Sequence, residues 1–508
     1  MSTAESAEPA GAADAFGPDG TVTATAPATP PSHIETHGID FIPLDERHGR
    51  PRELFFVWAG ANINYLPIVL GGSLVLLGLD TWQGLLVVLL GNLFWAFNGL
   101  LAVSGPVSGT PCSVLARATY GVRGNRVAVV LTNWSVCVAY AAINLAMGSL
   151  AAFALLDHLG MTVTTATEAV VVAVLAAGTL VVGVYGHALI LRLSPVFTLV
   201  LAVVLTALTA FVVVHADPGR RPDGAPQGAD LLAAALLGFA VVASGPLSWG
   251  TGADYARYLP ADASRRAVAG WTALGGFLPS VVLGAVGVLA GTAVDMTDPQ
   301  VSLREIVPGW FYPLFLLAVV VGSVANNILT TYSSALALQA IGVRVGQWTA
   351  VLLDGAIATA VAAYALFVTD FLDALNNILE LTVVVLGPGL AISAADLVLR
   401  RNHYPGPGLH DESPTGAYWY HGGVNTAGLA AQLLGSTVAL LCLNSTMYVG
   451  PVADALGGAD TSAILGPVVG AGVYAALFTT VYRRQLAEAR IAAGRRPRHR
   501  TPAPERTG

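Results

Sequence analysis

Two polar residues within one apolar stretch have the chemistry to hold a flat polar ring. Tyr140 and Asn144 are four residues apart within the apolar run 126–156, so both lie on one face of a helix. A tyrosine ring stacks against an aromatic face, and an amide donates and accepts hydrogen bonds at a ring edge. Ordinary packing between helices would use the same pair, so a ligand site needs support from elsewhere in the chain.

A second polar group lies in the apolar run 311–340. It contains Ser323, Asn326 and Asn327, followed by the hydroxyl residues Thr330, Thr331, Tyr332, Ser333 and Ser334. So many polar side chains are costly in a membrane helix unless they face polar partners. They predict contacts to a neutral ligand or, through serine and carbonyl oxygens, to a sodium ion. Hydrogen bonds between helices are expected to use some of them.

Ionisable residues within the apolar runs are few. Asp354 and Glu380 either relay protons or have another role that the sequence leaves open. Asp396 stands before Arg400 and Arg401, which predicts an ion pair near the membrane surface. Because the arginines lie in loops, no clamp for an anion is visible, and the expected ligand is small, neutral and aromatic.

The composition excludes an ordinary soluble protein. Of the 508 residues, 55% are hydrophobic and 11% are charged, and the net charge is −7; the mean hydropathy is +0.67. Soluble domains carry about 25% charged residues. The three cysteines, Cys112, Cys137 and Cys442, show neither disulfide nor metal spacing. The chain is therefore predicted to be an all-α polytopic membrane protein.

About twelve apolar runs have the length of membrane-spanning helices. They fall near 54–79, 83–103, 126–156, 168–186, 194–215, 231–251, 267–292, 311–340, 347–368, 375–399, 426–446 and 462–482. Residues 51–482 would form the membrane domain. Residues 1–50 are predicted to be a disordered tail, and residues 483–508 a basic, solvated tail that does not bind nucleic acid.

Arginines in the loops indicate the orientation of the chain. Three lie in loops on the side away from the tails, namely Arg220, Arg221 and Arg304. The loops on the tail side hold the larger group: Arg117, Arg123, Arg126, Arg192, Arg257, Arg265, Arg266, Arg344, Arg400 and Arg401. Both termini are therefore predicted to be cytoplasmic.

Two of the runs are interrupted at corresponding positions. The first contains Asn62, Asn64 and Pro67, and the sixth contains Ser244-Gly245-Pro246 followed by Trp249. Proline and glycine weaken a helix, and irregular backbone at membrane depth is tolerated where it lines a cavity. Paired breaks in the first and sixth spans predict an inverted-repeat transporter with its site between them.

Five segments, in this order, resemble purine-cytosine permeases of the nucleobase–cation symport-1 family, from about residue 38 to 420. They resemble, respectively, the start of the family's first span, its link between spans two and three, the end of span six, span eight and the end of span ten. The segments are Gly38-Ile39-Asp40-Phe41-Ile42-Pro43 through Ala61-Asn62, Gly105-Pro106 through Arg123-Gly124, Ala253-Asp254-Tyr255-Ala256-Arg257-Tyr258-Leu259-Pro260, Ala325-Asn326-Asn327-Ile328 through Gln339, and Asp396-Leu397 through Tyr404.

The resemblance implies a LeuT-like fold, with a 5+5 inverted repeat plus two C-terminal helices, that works by alternating access. It implies uptake of cytosine or of purines such as adenine, guanine and hypoxanthine across the plasma membrane. The ring would stack on Tyr140, where the family usually has tryptophan, and on Trp249. Asn144 and either Asn326 or Asn327 would hold its edge, with Asn62 and Gly245 as further predicted contacts.

The resemblance also implies a coupling cation, which is either H+ or Na+. The expected sodium ligands are Ala61 and Asn64 of the first span and Ser323 of the eighth. This sequence does not clearly contain the family's pair of sodium-binding hydroxyls, so coupling to H+ remains an alternative. No other metal and no cofactor are expected.

Three alternatives follow from the same residues. The first alternative is a different substrate, namely a related heterocycle of the allantoin, hydantoin, uracil, thiamine or pyridoxine type. The others are an uncoupled facilitator and a channel, although sparse intramembrane charge argues against a polar pore. An enzyme is not expected, because no catalytic group converges and histidines such as His187, His403 and His421 lie mostly in loops.

Overall fold

The computed structural model describes residues 37–482 except positions 223, 298, 369, 370 and 446, and for residues 299 and 371–381 it describes the backbone only. The predicted tails fall largely outside this range, at residues 1–36 and 483–508. Ten described helices are long and apolar enough to cross a membrane, and a bent helix pair makes eleven. The shorter apolar helix Thr426–Cys442 matches the remaining predicted run.

The first five spans follow the predicted apolar runs. Gly186, at a φ of 70°, makes the turn between the fourth and fifth spans, so the fifth begins at His187, before the predicted 194. The helices are α1 (Glu53–Asn62), α2 (Leu66–Leu76), α3 (Thr81–Asn92), α4 (Trp95–Ala102), α5 (Ser104–Ser108), α6 (Cys112–Tyr120), α7 (Val122–Val129), α8 (Ser135–His158), α9 (Thr165–Tyr185) and α10 (His187–His215).

The remaining spans and their connecting helices complete the membrane domain. Short 3-10 turns occur at Leu44–Glu46 and Leu303–Glu305. The helices are α11 (Ala229–Leu247), α12 (Gly252–Ala256), α13 (Arg265–Ala293), α14 (Pro299–Ser302), α15 (Tyr312–Ile341), α16 (Gln347–Phe367), α17 (Phe371–Leu399), α18 (Gly406–His410), α19 (Thr426–Cys442), α20 (Pro451–Ala455) and α21 (Ser462–Val481).

The first span is broken where its asparagines and proline predict. α1 ends at Asn62, α2 begins at Leu66, and the two helices differ in direction by 52°. The Asn64 side chain stabilises the gap: its Oδ1 accepts from the Leu66 N–H (2.9 Å) and its Nδ2 donates to the Ala61 carbonyl (2.6 Å). Pro67 lies in the first turn of α2, where a missing N–H costs no helical bond.

The sixth span is interrupted later than predicted. The prediction centred the break on Ser244-Gly245-Pro246, but α11 continues to Leu247 and α12 begins only at Gly252. A proline removes its own N–H bond and leaves its neighbours' bonds in place. The Ser248 N–H accordingly still donates to the Ser244 carbonyl (3.1 Å). The irregular segment is therefore 248–251, which places Trp249 inside the break.

The third span contains a π-helical turn, Val130–Trp134, that the sequence did not reveal. The Ser135 N–H donates to the Val130 carbonyl, five residues earlier. The turn presents the Trp134 indole N–H to Asp354 Oδ1 at 2.9 Å. It directly precedes α8, which carries Tyr140 and Asn144, so its extra residue sets the rotation of both side chains.

Glycines allow α2 and α13 to pack backbone against backbone. A Cβ atom added at Gly71 would overlap the Gly284 carbonyl, and one added at Gly287 would overlap the Ile68 carbonyl. No side chain other than hydrogen fits such close approaches. The contact holds the second half of the broken first span against the seventh span.

Residues 37–47 lie across one end of the helix bundle, here called the terminal face, together with residues 103–121 and 400–425. Arg257 Nη1 donates to the Gly38 carbonyl (2.6 Å), and the Ile39 N–H donates to Gln339 Oε1 (3.0 Å). Arg47 Nη1 donates to the Pro106 carbonyl (2.6 Å). These bonds connect the segment to the sixth and eighth spans and to the link after the second span.

Candidate functional site

A cavity lies between the two helix breaks. All of its lining residues are uncharged, which suits a neutral ligand. They are Asn62, Asn64, Leu66, Pro67, Leu70, Gly71, Val88, Asn92, Trp95, Tyr140, Val242, Gly245, Pro246, Ser248, Trp249, Ser280, Gly284 and Asn326.

Aromatic rings form part of the cavity wall. Tyr140 of α8 and Trp249 of the second break both line it, as the sequence predicted for a stacked ring, and Gly245 lies one turn before Trp249. Trp58 holds the indoles in place: its ring centroid is 5.2 Å from that of Trp249 and 5.8 Å from that of Trp95, both edge-on. Edge-to-face contacts of this kind stabilise aromatic pairs.

A chain of amides joins the third, eighth and first spans. Asn144 Nδ2 donates to Asn326 Oδ1 (3.0 Å), and Asn326 Nδ2 donates to the Ala61 carbonyl (3.2 Å). Thr330 Oγ1 also donates to Asn326 Oδ1 (3.2 Å). Asn326 lines the cavity, whereas Asn144 does not. The structure therefore places Asn144 behind Asn326, where it orients that amide.

The amides that line the cavity retain unused hydrogen-bonding groups. Asn326 Oδ1 accepts two bonds and its Nδ2 donates one, so one N–H can donate to a ligand. Asn62 Nδ2 donates to the Trp58 carbonyl (2.8 Å) and Asn92 Nδ2 to the Val88 carbonyl (2.9 Å). Each of these two asparagines therefore keeps its Oδ1 as an acceptor. The wall can both donate to and accept from a ring edge.

Asn327 and Ser323 face away from the cavity. Both line a small gap between the third, fourth and eighth spans, together with Asn144 and Gly148. A Cβ added at Gly148 would come within 3.0 Å of Ser323 Cβ, so this serine packs against the third span. Of the two candidate amides of the eighth span, the structure brings only Asn326 to the cavity.

The residues predicted to bind a cation are only partly brought together. Ala61 and Asn64 are hydrogen-bonded at the first break, but Ser323 packs elsewhere. The part of the eighth span that faces the break is Gly322, whose added Cβ would lie 3.3 Å from the Ile63 carbonyl. No described cluster of three or more His, Cys, Asp or Glu side chains has the geometry of a metal site.

The two intramembrane acids whose side chains are described lie outside the lining of this cavity. Asp354 is buried in α16 and accepts from Trp134. Asp396 forms the predicted ion pair with Arg400 (Oδ1 to Nε, 2.7 Å) and accepts from the Tyr404 hydroxyl (2.8 Å). The side chain of Glu380, for which proton relay was one prediction, lies outside the described residues.

Several polar residues of the cavity were missed by sequence reasoning. Asn92 ends α3, Ser280 lies in the middle of α13, and Ser248 begins the second break. A single amide or hydroxyl in a long apolar run carries no periodic signal. For Ser280 the preceding Pro279 was a usable signal, since proline marks irregular positions in membrane helices.

Comparison with known proteins identifies relatives of this chain. Residues 41–466 match the model of a family described as permeases for cytosine/purines, uracil, thiamine and allantoin. The Bacillus subtilis (strain 168) protein YxlA, whose name proposes a purine-cytosine permease, is 25% identical over 457 residues, covering 87% of this chain and 95% of YxlA.

Solved structures share the fold. Mhp1, a nucleobase-cation-symport-1 family transporter in a closed conformation with bromovinylhydantoin bound, superposes with a TM-score of 0.69 at 18% identity, covering 89% of this chain and 96% of Mhp1. An inward-facing structure of Mhp1 gives a TM-score of 0.64 at 18% identity, with 93% and 98% covered. The predicted LeuT-like, all-helical transporter fold is confirmed. The chain belongs to the family of permeases for cytosine/purines, uracil, thiamine and allantoin, and it is a multi-pass membrane transporter rather than an enzyme.

Proposed function

We propose that this transporter is a symporter that imports neutral nucleobases, namely cytosine and the purines adenine, guanine and hypoxanthine. The observation that carries the proposal is the uncharged cavity in which Tyr140 and Trp249 offer rings and Asn326 offers an unused N–H. A nucleobase combines an aromatic face with ring nitrogens, carbonyls or amino groups on its edge. Asn62 and Asn92 would accept from its N–H groups, and Asn326 would donate to an acceptor.

The bound ring would stabilise a closed state of the transporter. The cavity takes its walls from both halves of the inverted repeat, and Asn326 already connects the eighth span to the first through Ala61. A ligand that touches both sides shifts the population toward the conformation in which both contacts exist. Opening toward the terminal face would then release it, as alternating access requires.

We propose that the terminal face is cytoplasmic and that the protein lies in the plasma membrane. The excess of arginine in the loops on the tail side supports this orientation. The coupling ion is either H+ or Na+. The position of Ser323, packed on the third span instead of at the first break, favours H+, because a sodium site there would lack the expected hydroxyl ligand.

Uptake by purified protein in liposomes tests the substrate and the ion separately. Radiolabelled cytosine, adenine, guanine and hypoxanthine should each be tested, with imposed pH or Na+ gradients. Saturable uptake that a pH or Na+ gradient drives is the expected result. Uptake that is independent of both gradients would indicate a facilitator. Absence of uptake of all four bases would contradict the substrate assignment.

A related heterocycle is the second candidate substrate. The family description includes uracil, thiamine and allantoin, and a hydantoin derivative occupies Mhp1. Competition of nucleobase uptake by uracil, allantoin, hydantoin, thiamine and pyridoxine decides between the two. If one of these is transported and none of the four nucleobases is, the second candidate replaces the first.

A further inference from the structure

A second cavity, here called the inner vestibule, lies between the first cavity and the terminal face. Its lining includes Cys112, Asn133, Cys137, Thr251 and the carboxylate of Asp396. Ser248 lines both cavities. Along the third span, Cys137 lies about one turn nearer the terminal face than Tyr140. A ligand leaving the first cavity toward the terminal face would therefore enter the vestibule.

The vestibule contains a buried polar group without a partner. The Thr251 side chain is only 4% exposed, and its Oγ1 has no hydrogen-bond partner within the described parts of the chain. Leaving a buried hydroxyl unpaired is unfavourable. Because this hydroxyl lies in the irregular segment 248–251 and borders the cavity, a ligand or water in the vestibule would satisfy it.

Among the described residues, the Asn133 amide forms its hydrogen bonds only with sulfur atoms. Its Nδ2 donates to Cys112 Sγ (3.5 Å), and its Oδ1 accepts from Cys137 Sγ (3.2 Å). Thiols are weak donors and weak acceptors, so a heterocycle edge can replace both at little cost. The rings of Tyr120 and Tyr404 also border the space. The vestibule thus combines an amide with aromatic rings, and the Asp396 carboxylate in its lining is paired with Arg400.

We propose that the inner vestibule is a second binding site, which holds the transported heterocycle after it leaves the first cavity. Thr251 and Asn133 bind its edge there. The proposal rests on the proposed function, because it assumes that the ligand is a neutral nucleobase-type ring. It adds two binding residues and a step in which the substrate is retained before release at the terminal face.

The native cysteines provide the test. In inside-out vesicles, Cys112 is labelled with a small methanethiosulfonate reagent and quantified by mass spectrometry, with buried Cys442 of α19 as an internal reference. Burial and the neighbouring Asp254 raise the pKa of the Cys112 thiol, so labelling is done at alkaline pH. Cytosine or hypoxanthine at about ten times the half-protecting concentration should slow the labelling about tenfold.

Variants of the two cavities separate direct protection from a conformational effect. Asn144→Ala and Trp249→Ala should weaken ligand binding in the first cavity, yet the ligand should still protect Cys112 from labelling in both variants. Thr251→Val and Asn133→Leu should lose it, while Thr359→Val, the same change at a bonded threonine of α16, should keep it.

Two results would overturn the proposal. Either protection disappears when only the first cavity is changed, or no nucleobase protects Cys112 in the unaltered protein. Failure of the proposed function is seen independently, as absence of nucleobase uptake by the unaltered protein. Normal uptake without protection would refute the vestibule site alone.

Discussion

Asn144→Ala should weaken nucleobase binding although Asn144 does not line the cavity. Its Nδ2 is one of the two donors to Asn326 Oδ1, so its removal leaves a buried acceptor with only the Thr330 bond. The Asn326 amide then becomes free to turn away from the Ala61 carbonyl, and its ligand-facing N–H is no longer oriented. A ligand acceptor that loses this buried donor costs about 1–3 kcal/mol.

The expected loss is about 5- to 150-fold in Kd, which corresponds to that free energy. It is measured as equilibrium binding of radiolabelled cytosine or hypoxanthine to purified protein of verified monodispersity. Asn327→Ala is the matched control, because Asn326 and Asn327 are both 5% exposed but only Asn326 lines the cavity. This variant should bind close to normally.

A double-mutant cycle shows whether Asn144 acts through Asn326. If it does, Asn144→Ala combined with Asn326→Ala should lose little more affinity than Asn326→Ala alone. Losses that simply add would show that Asn144 contacts the ligand directly. Normal binding by Asn144→Ala, or an equal loss in Asn327→Ala, would refute the amide chain as the basis of recognition.

Four further predictions follow from the structure. Trp249→Ala should raise the KM for nucleobase uptake and Trp249→Phe should restore part of it, since a phenyl ring still stacks. Ser323→Ala should leave the response of uptake to Na+ unchanged, because the serine packs on the third span. Asp396→Asn leaves the buried Arg400 without its counter-charge, so the melting temperature should fall by an amount consistent with about 3–5 kcal/mol. Burial lowers the pKa of His410 to about 4, so the folded protein keeps this imidazole neutral. As pH falls from about 6.5 towards that value, only the unfolded state binds the proton, and the free energy of unfolding decreases. His410→Asn should flatten that acid slope in a series of melting curves.

Local signals in the sequence predicted the helices and the first break well. Apolar length fixed the spans, and Pro67 with two asparagines marked the gap between α1 and α2. The second break was misplaced by a few residues because Pro246 removes a single hydrogen bond, and neighbouring bonds kept α11 intact to Leu247. Such compensation depends on three-dimensional geometry, which a residue pattern does not contain.

The sequence predicted which types of residue form the site better than it predicted which of them contact the cavity. Asn326 and Asn327 differ by about 100° around a helix, so their facing depends on how α15 packs. Placing Asn144 behind Asn326 likewise required the distance between two spans. Asn92 had no pattern, since it stands alone in its apolar run, and for Ser280 the only signal was the preceding Pro279.

The π-helical turn Val130–Trp134 has a consequence for comparing and altering this protein. It accommodates one residue more than an α-helix of the same rise, so aligning the chain with a relative whose third span is regular requires a one-residue gap here. Deleting a single residue from the turn would restore a regular helix and leave the preceding segment and α8 in nearly the same relative rotation, because the turn already absorbs the extra residue. If the turn became α-helical with all its residues kept, Tyr140 and Asn144 would instead rotate by about 100° relative to the preceding segment, although neither residue was replaced.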